Sequence, residues 1–177
     1  MSVRFKRVLY RCLLFGMLGM LFEVCAMAWQ VGWEGNLSLR SASSPWMLPI
    51  YGLIGVVLEP VSAPLVRRRV PLVLRAAVYM VLIFAVEYVS GMMLFAAGIN
   101  KAGVDNMHTV WDYHWARYHL HGQIALEFAP TWYVLGLTLE FLYRRVDACA
   151  AALALKLRGD ALFAGYAAGK RETAECP

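Results

Sequence analysis

Five carboxyl groups stand inside long apolar stretches of this sequence, at Glu23, Glu59, Glu87, Glu127 and Glu140. If those stretches cross a bilayer, an ionised carboxyl near the centre costs roughly 2.5–3.5 kcal/mol. Such acids commonly line a path for protons or cations, because they must be protonated, hydrated or paired to persist there. The chemistry that these residues indicate is therefore reversible binding of a proton or a cation.

The five glutamates differ in their sequence neighbours. Glu140 precedes Arg144 by four residues, so the two can pair on one face of a helix. The acids with no nearby cation in their own stretch are Glu23, Glu87 and Glu127. We predict that these three face one shared interior space, with Glu59 on its inner side.

A second polar group lies between the third and fourth apolar stretches. It contains the motif Trp111-Asp112-Tyr113, and Gly122 follows shortly after. We predict that this motif folds back over the outer mouth of a helical bundle, where Gly122 permits close backbone approach. Asp112 would either cap free N–H groups at the start of the next helix or pair with Arg117.

Three histidines in the same region are weak candidates for metal ligands: His114, His119 and His121. Their spacing lacks the His-Glu-x-x-His pattern, and no cysteine pair accompanies them. We interpret them as hydrogen-bonding residues at a membrane interface, so no metal is predicted. The sequence has no nucleotide-binding loop, dinucleotide fingerprint or nucleophile elbow, and it leaves cofactors and catalytic residues unassigned.

Two of the glutamates end the same short pattern, Gly-x-x-Gly-x-x-x-Glu. One copy is Gly16–Glu23 and the other is Gly52–Glu59. Glycines on one helix face let another helix approach closely, which surrounds the acid with backbone rather than lipid. Because the two segments would run in opposite directions, the match indicates either an inverted repeat or a coincidence of common residues.

The elements that must position these acids are transmembrane helices. Hydrophobic residues make up 60% of the chain and charged residues 16%, against about 45–50% and about 25% in soluble domains. Four stretches reach the length of about 20 residues that a helix needs to cross a bilayer. They are residues 8–29, 45–66, 72–98 and 119–143. The predicted fold is an all-α polytopic membrane protein, a bundle of four transmembrane helices.

Basic residues fix the orientation of this bundle. Of the 17 Lys and Arg residues, all except Arg40, Lys101 and Arg117 fall on one side of the predicted spans. The positive-inside rule therefore places both termini in the cytoplasm. The basic residues flank apolar runs, which argues against nucleic-acid binding. Residues 1–145 form the predicted transmembrane domain, and residues 146–177 form a cytoplasmic helical tail with a disordered end.

Several short stretches together resemble one family. They are Phe22-Glu23-Val24, Pro45-Trp46, Pro49–Gly52, Glu87–Gly91, Trp111-Asp112-Tyr113, Gly122–Glu127 and Trp132. In this order they resemble the transmembrane protein 229 family and the CmpB-like ABC-transporter type IV membrane proteins grouped with it. The resemblance covers about residues 5–145 and implies a small helical membrane protein with acids in its spans. The family pattern has a small polar residue where this chain has His114.

The leading functional hypothesis is a transport or channel-like membrane subunit with a buried carboxylate site for a cation or proton. One alternative is an intramembrane enzyme acting on a lipid or small amphiphile at the outer leaflet. Another is a structural membrane subunit, and the sequence does not decide whether the protein is an enzyme. The expected partners are the lipid bilayer and either further copies of the chain or a partner membrane or ATPase subunit, with no nucleic acid.

Overall fold

A computed structural model describes residues 2–33, 35–39, 41, 43–100 and 110–174 of the chain. For residues 30 and 157–174 it describes the backbone alone. The sequence predicts disorder at the end of the tail, and the last three residues of that end lie outside the described residues.

Helices dominate the described residues, with one small hairpin. The helices are α1 (Val3–Trp33), α2 (Met47–Gly52), α3 (Ile54–Arg67), α4 (Leu72–Ala96) and α5 (Ala129–Ala174). The strands β1 (His119–Leu120) and β2 (Ile124–Ala125) pair antiparallel, and a 3-10 turn at Leu126–Phe128 leads into α5. Because Leu53 keeps helical angles (φ −57°, ψ −29°), α2 and α3 form a nearly continuous helix.

Three helical segments are long and apolar enough to cross a membrane, by length and composition. They are Val3–Trp33, Met47–Arg67 and Leu72–Ala96, with mean hydropathies of 1.9, 1.5 and 2.0. They correspond to the first three predicted spans. Proline and glycine set the limits of α4, since Pro71 precedes its first turn and Gly98 (φ +70°) follows its end.

The start of the fourth predicted span differs from the sequence-based prediction. Residues 119–125 form the β-hairpin, and the helix begins only at Ala129. The reason lies in the turn: His121 (φ 52°) and Gly122 (φ 67°) both have positive φ. Consecutive positive φ angles suit a tight hairpin turn and break a helix. The prediction that a helix begins at residue 119 is therefore wrong.

Glycines bring the first two spans into close contact. A side chain at Gly52 would lie 2.9 Å from the Cys12 carbonyl oxygen, and one at Gly16 would overlap the Leu48 backbone. Gly52 therefore packs against Cys12, which lies four residues before Gly16. In the same way, Gly16 packs against Leu48, which lies four residues before Gly52. On the far side of the bundle, Gly136 of α5 packs against the backbone of Ala76 in α4.

The apolar core lies between these contacts, midway along the bundle. Its buried members come from α1, α3, α4 and α5, and are Phe15, Leu58, Tyr79, Leu139 and Val146. A second buried group joins α4, the hairpin and α5 through Phe84, Ile124 and Trp132.

Candidate functional site

Two of the predicted acids, Glu23 and Glu87, lie towards the end of the bundle that carries the hairpin. Glu23 of α1 accepts hydrogen bonds of 3.1 Å from the hydroxyl groups of Ser43 and Tyr51. Glu87 of α4 accepts one of 2.9 Å from the hydroxyl of Tyr113. The two carboxyl groups are close enough to interact electrostatically. We call these five residues the outer acid cluster, after the side on which the predicted orientation places them, and use "inner" in the same sense.

Small residues beside the acids make this arrangement sterically feasible. Gly19 leaves the space on α1 that the Tyr51 ring occupies, which brings the Tyr51 hydroxyl to Glu23 one turn further along. Gly91 stands one turn after Glu87, where a side chain would meet the ring of Trp111. The chain after α4 can therefore lie directly on the helix.

The outer acid cluster borders a small cavity of about 70 Å³. Glu87 and Tyr51 contribute its oxygen atoms, Trp111 and Trp132 contribute rings, and the remaining wall is aliphatic. Within the described part of the chain, two atoms of the wall residues are buried without a hydrogen-bond partner. They are the acceptor Oε2 of Glu87 and the donor Nε1 of Trp132.

Tyr113 reaches the cluster from the loop before the hairpin. Burial, together with the neighbouring carboxyl of Glu87, raises the pKa of the Tyr113 phenol above its usual range. A phenol with a raised pKa keeps its proton throughout the physiological range. Its hydroxyl therefore remains a hydrogen-bond donor to Glu87.

Glu127 lies apart from Glu23 and Glu87, contrary to the predicted shared space of three acids. It belongs to the 3-10 turn before α5, its side chain is exposed, and it accepts a 2.9 Å hydrogen bond from the backbone N–H of Tyr118. That backbone donor lowers the pKa of the Glu127 carboxyl. The late start of α5 explains the difference, because a helix from residue 119 would have carried Glu127 into the bundle.

Glu59 belongs to a separate ionic group at the other end of the bundle. Arg11 Nη1 lies 3.2 Å from Glu59 Oε2 and 3.1 Å from Asp147 Oδ1. Arg7 also pairs with Asp147, and the Tyr143 hydroxyl donates a 2.9 Å hydrogen bond to Glu59. We call these five residues the inner ion-pair cluster; they join α1, α3 and α5.

The inner ion-pair cluster is balanced in charge, with two arginines and two carboxylates. The Arg11 side chain is only 8% exposed and lies over the Tyr143 ring at 4.9 Å. The Arg7 and Arg11 guanidinium groups hold the pKa of Asp147 below its usual range. A charge-balanced, hydrogen-bonded set of this kind suits helix packing rather than ion binding.

Glu140 also pairs between helices. It lies 2.9 Å from Arg75 of α4 and accepts a hydrogen bond from Tyr79. The sequence had suggested Arg144, four residues along the same helix. Helix packing explains why Glu140 pairs with Arg75 instead, because Gly136 lets α4 approach α5 closely one turn before Glu140.

The Trp111-Asp112-Tyr113 motif lies against the C-terminal half of α4 and the hairpin. The Trp111 indole donates a 2.9 Å hydrogen bond to the Gln123 carbonyl, and the Tyr113 N–H donates one to the Gly122 carbonyl. Asp112 accepts the N–H of His114 at 3.0 Å and pairs with its ring. A side chain at Gly122 would lie 2.9 Å from Asp112 Oδ1, so glycine permits this close approach.

The three histidines have different surroundings. The rings of His114 and His119 lie 4.9 Å apart, and His119 accepts the N–H of Gly122. His121 forms a 3.0 Å hydrogen bond with the Tyr88 hydroxyl. In the described ranges, no three or more His, Cys, Asp or Glu side chains are grouped to hold a metal ion.

Sequence reasoning identified the acids but missed most of their partners. Tyr51 had a signal, because it directly precedes the first glycine of the second Gly-x-x-Gly-x-x-x-Glu segment. Arg11 and Asp147 had none, because each looks like an ordinary charge near a helix end. Their pairing depends on tertiary contacts between α1 and α5.

Comparison with known proteins gives one family. A family model described as "Putative ABC-transporter type IV" matches residues 10–163. The match covers the outer acid cluster, the Trp111-Asp112-Tyr113 motif and Asp147. No curated protein and no solved structure shows significant similarity to the chain.

Proposed function

The chain belongs to the family described as "Putative ABC-transporter type IV", and from this membership we propose that it is a membrane transport subunit that binds a proton or small cation at the outer acid cluster. The family description and the three apolar helices agree with an integral membrane protein of transport type. The choice of site rests on the physical chemistry of Glu23 and Glu87.

The observation that carries the proposal is the charge imbalance of the outer acid cluster. Glu23 and Glu87 interact electrostatically and accept hydrogen bonds from hydroxyl groups, and within the described residues neither pairs with Lys or Arg. Two ionised carboxylates in a membrane interior repel each other and are poorly solvated. Binding a positive charge relieves both costs, whereas the inner ion-pair cluster already contains its own cations.

The proposed topology keeps four spans, with α5 as the fourth, and both termini in the cytoplasm. This orientation places the inner ion-pair cluster on the cytoplasmic side and Trp111-Asp112-Tyr113 on the outer side. Arg11 and Glu23 are separated by twelve residues of α1, or about 18 Å at about 1.5 Å per residue. Residues 1–145 then form the transmembrane domain, and residues 146–177 form a cytoplasmic tail.

An ABC-type transport cycle would require a partner. The sequence has no nucleotide-binding loop, so ATP hydrolysis would come from an ATPase subunit. The part of α5 beyond Tyr143 extends towards the cytoplasm in the proposed orientation, and it is the natural element for such a partner to contact. Further copies of the chain are the other proposed partner.

The binding step can be tested by linkage to stability. A ligand that binds only the folded state stabilises it by about 2.7 kcal/mol at 100 times its Kd. The purified protein in lipid nanodiscs should therefore show a melting temperature that depends on pH or on Na⁺, K⁺ or Mg²⁺. Glu23→Gln/Glu87→Gln should remove that dependence, and Glu127→Gln should retain it.

Two results would count against the proposal. The same pH and cation dependence in all three proteins would locate the effect elsewhere. No dependence in the wild type would favour a structural subunit whose acids only fix helix packing. Turnover of a lipid by the wild type would instead support the enzyme alternative.

A further inference from the structure

The wall of the cavity beside Glu87 contains few groups that could hold a metal cation. Of its lining residues, Glu87 and Tyr51 alone have side-chain oxygen atoms, and the others carry aliphatic, thioether or indole side chains. Hard cations such as Ca²⁺ and Mg²⁺ take about six oxygen ligands. A cation stripped of water here would lose more solvation than these two residues could replace.

The backbone carbonyl groups near the junction of α2 and α3 do not supply the missing ligands for a metal cation. Membrane cation sites often use carbonyls from unwound helix segments, and the junction at Leu53 is the obvious place to find them. Its neighbouring carbonyls are already used, since the Leu53 N–H bonds to the Pro49 and Ile50 oxygens. Pro60 removes the partner of the Val56 carbonyl, but Val56 is 48% exposed and does not border the cavity.

Two residues of the cavity wall each carry a buried atom without a hydrogen-bond partner in the described part of the chain, and these atoms point to a different ligand. Glu87 Oε2 is an acceptor without a donor, and Trp132 Nε1 is a donor without an acceptor. Trp132 is only 9% exposed. An N–H group presents its positive end, which disfavours a metal ion but suits a water oxygen. A cavity of about 70 Å³ has room for water, since one molecule needs about 10–15 Å³ by this measure.

We propose that the ligand of the outer acid cluster is a proton, carried on Oε2 of Glu87 and exchanged through water in the adjoining cavity. This inference rests on the proposed function and names its ligand. Hydronium transfers its proton to Oε2, so that one O–H bond forms on the carboxyl, one breaks in hydronium, and a water molecule remains. Release is the reverse step.

The surrounding groups fit a single proton at this site. Oε1 of Glu87 already accepts the Tyr113 hydroxyl, so the proton goes to the other oxygen. Glu23 on α1 is the carboxyl that interacts electrostatically with Glu87, and the Ser43 and Tyr51 hydroxyls hydrogen-bond to it. Protonation of Glu87 removes the repulsion from Glu23 while Glu23 keeps its two donors.

Infrared spectroscopy of the full-length protein in lipid tests this directly. We expect a carbonyl stretching band of a protonated carboxylic acid that titrates with pH. Glu87→Gln should abolish the band, and the matched amide variant Glu127→Gln should leave it unchanged. Tyr113→Phe should keep the band and shift it to higher frequency, because the carbonyl oxygen Oε1 loses its hydrogen bond.

Addition of Na⁺, K⁺ or Mg²⁺ separates this inference from the proposed function. An unchanged band supports a proton as the ligand. A band that disappears as one of these ions binds would overturn the proton while leaving a cation site at the same residues. A band absent from the wild type, or retained in Glu87→Gln, would also overturn it, and so would an unshifted band in Tyr113→Phe.

Discussion

Arg11 should be the most important charged side chain for the stability of the inner half of the bundle. Its Nη1 atom lies 3.1 Å from Asp147 and 3.2 Å from Glu59. A hydrogen bond between charged groups is worth about 1.5–3 kcal/mol. This value applies to the bond between Arg11 and Asp147, because Asp147 is mostly buried. Glu59 is 61% exposed, so its pair is discounted to about 0–1 kcal/mol. We therefore expect Arg11→Met to lower the free energy of unfolding by roughly 1.5–4 kcal/mol.

The assay is equilibrium unfolding in mixed detergent micelles. Arg67→Met is the matched control, because Arg67 is exposed at the end of α3 and should change stability by less than about 0.5 kcal/mol. A double-mutant cycle with Asp147→Asn should give a coupling energy of about 0.5–3 kcal/mol. Equal costs for Arg11→Met and Arg67→Met, or strict additivity with Asp147→Asn, would refute the inner ion-pair cluster.

Three further outcomes follow from the same contacts. Gly52→Ala should cost about 1–3 kcal/mol of stability, because the new methyl group meets the Cys12 carbonyl. Gly32→Ala should cost less, because its methyl group meets only the end of the Leu39 side chain. Equal melting temperatures for the two variants would contradict this packing. Because the pKa of Asp147 is lowered in the folded state, its stabilisation is complete above the unfolded-state pKa of about 3.9 and is lost as the pH falls through the folded-state pKa. The loss of stability at acid pH should therefore be shallower for Asp147→Asn than for the wild type. Identical curves would contradict the proposed ion pairs of Asp147. In a background without native cysteines, an impermeant thiol reagent should label Trp115→Cys from outside the cell and not Arg68→Cys, and the reverse pattern would overturn the proposed orientation.

The sequence predicted the membrane class and the first three helices because long apolar runs determine them directly. It also indicated the close helix contact, since glycines such as Gly16 and Gly52 on one helix face let another helix approach closely. The start of α5 was predicted wrongly, because residues 119–128 are apolar enough to continue a helix. The positive φ angles at His121 and Gly122 override that pattern locally.

The composition of the candidate site was only partly predictable. Glu23 and Glu87 stood out because a buried acid is costly in any fold. The Tyr113 hydroxyl bond to Glu87 depends on a loop folding back over α4, and no periodicity encodes that. The Arg11–Asp147 pair joins residues 136 positions apart, beyond the reach of local reasoning.

Ion flux tests the central claim most directly. Membrane vesicles from cells producing the protein retain any partner subunit, and an internal dye reports pH or cation entry under an imposed gradient. We predict that the wild type accelerates entry over vesicles lacking the protein, and that Glu127→Gln does the same. Glu23→Gln/Glu87→Gln, present in the membrane at equal amounts, should return entry to the rate of vesicles without the protein. Undiminished flux in that double variant would contradict the assignment of the outer acid cluster as the transport site.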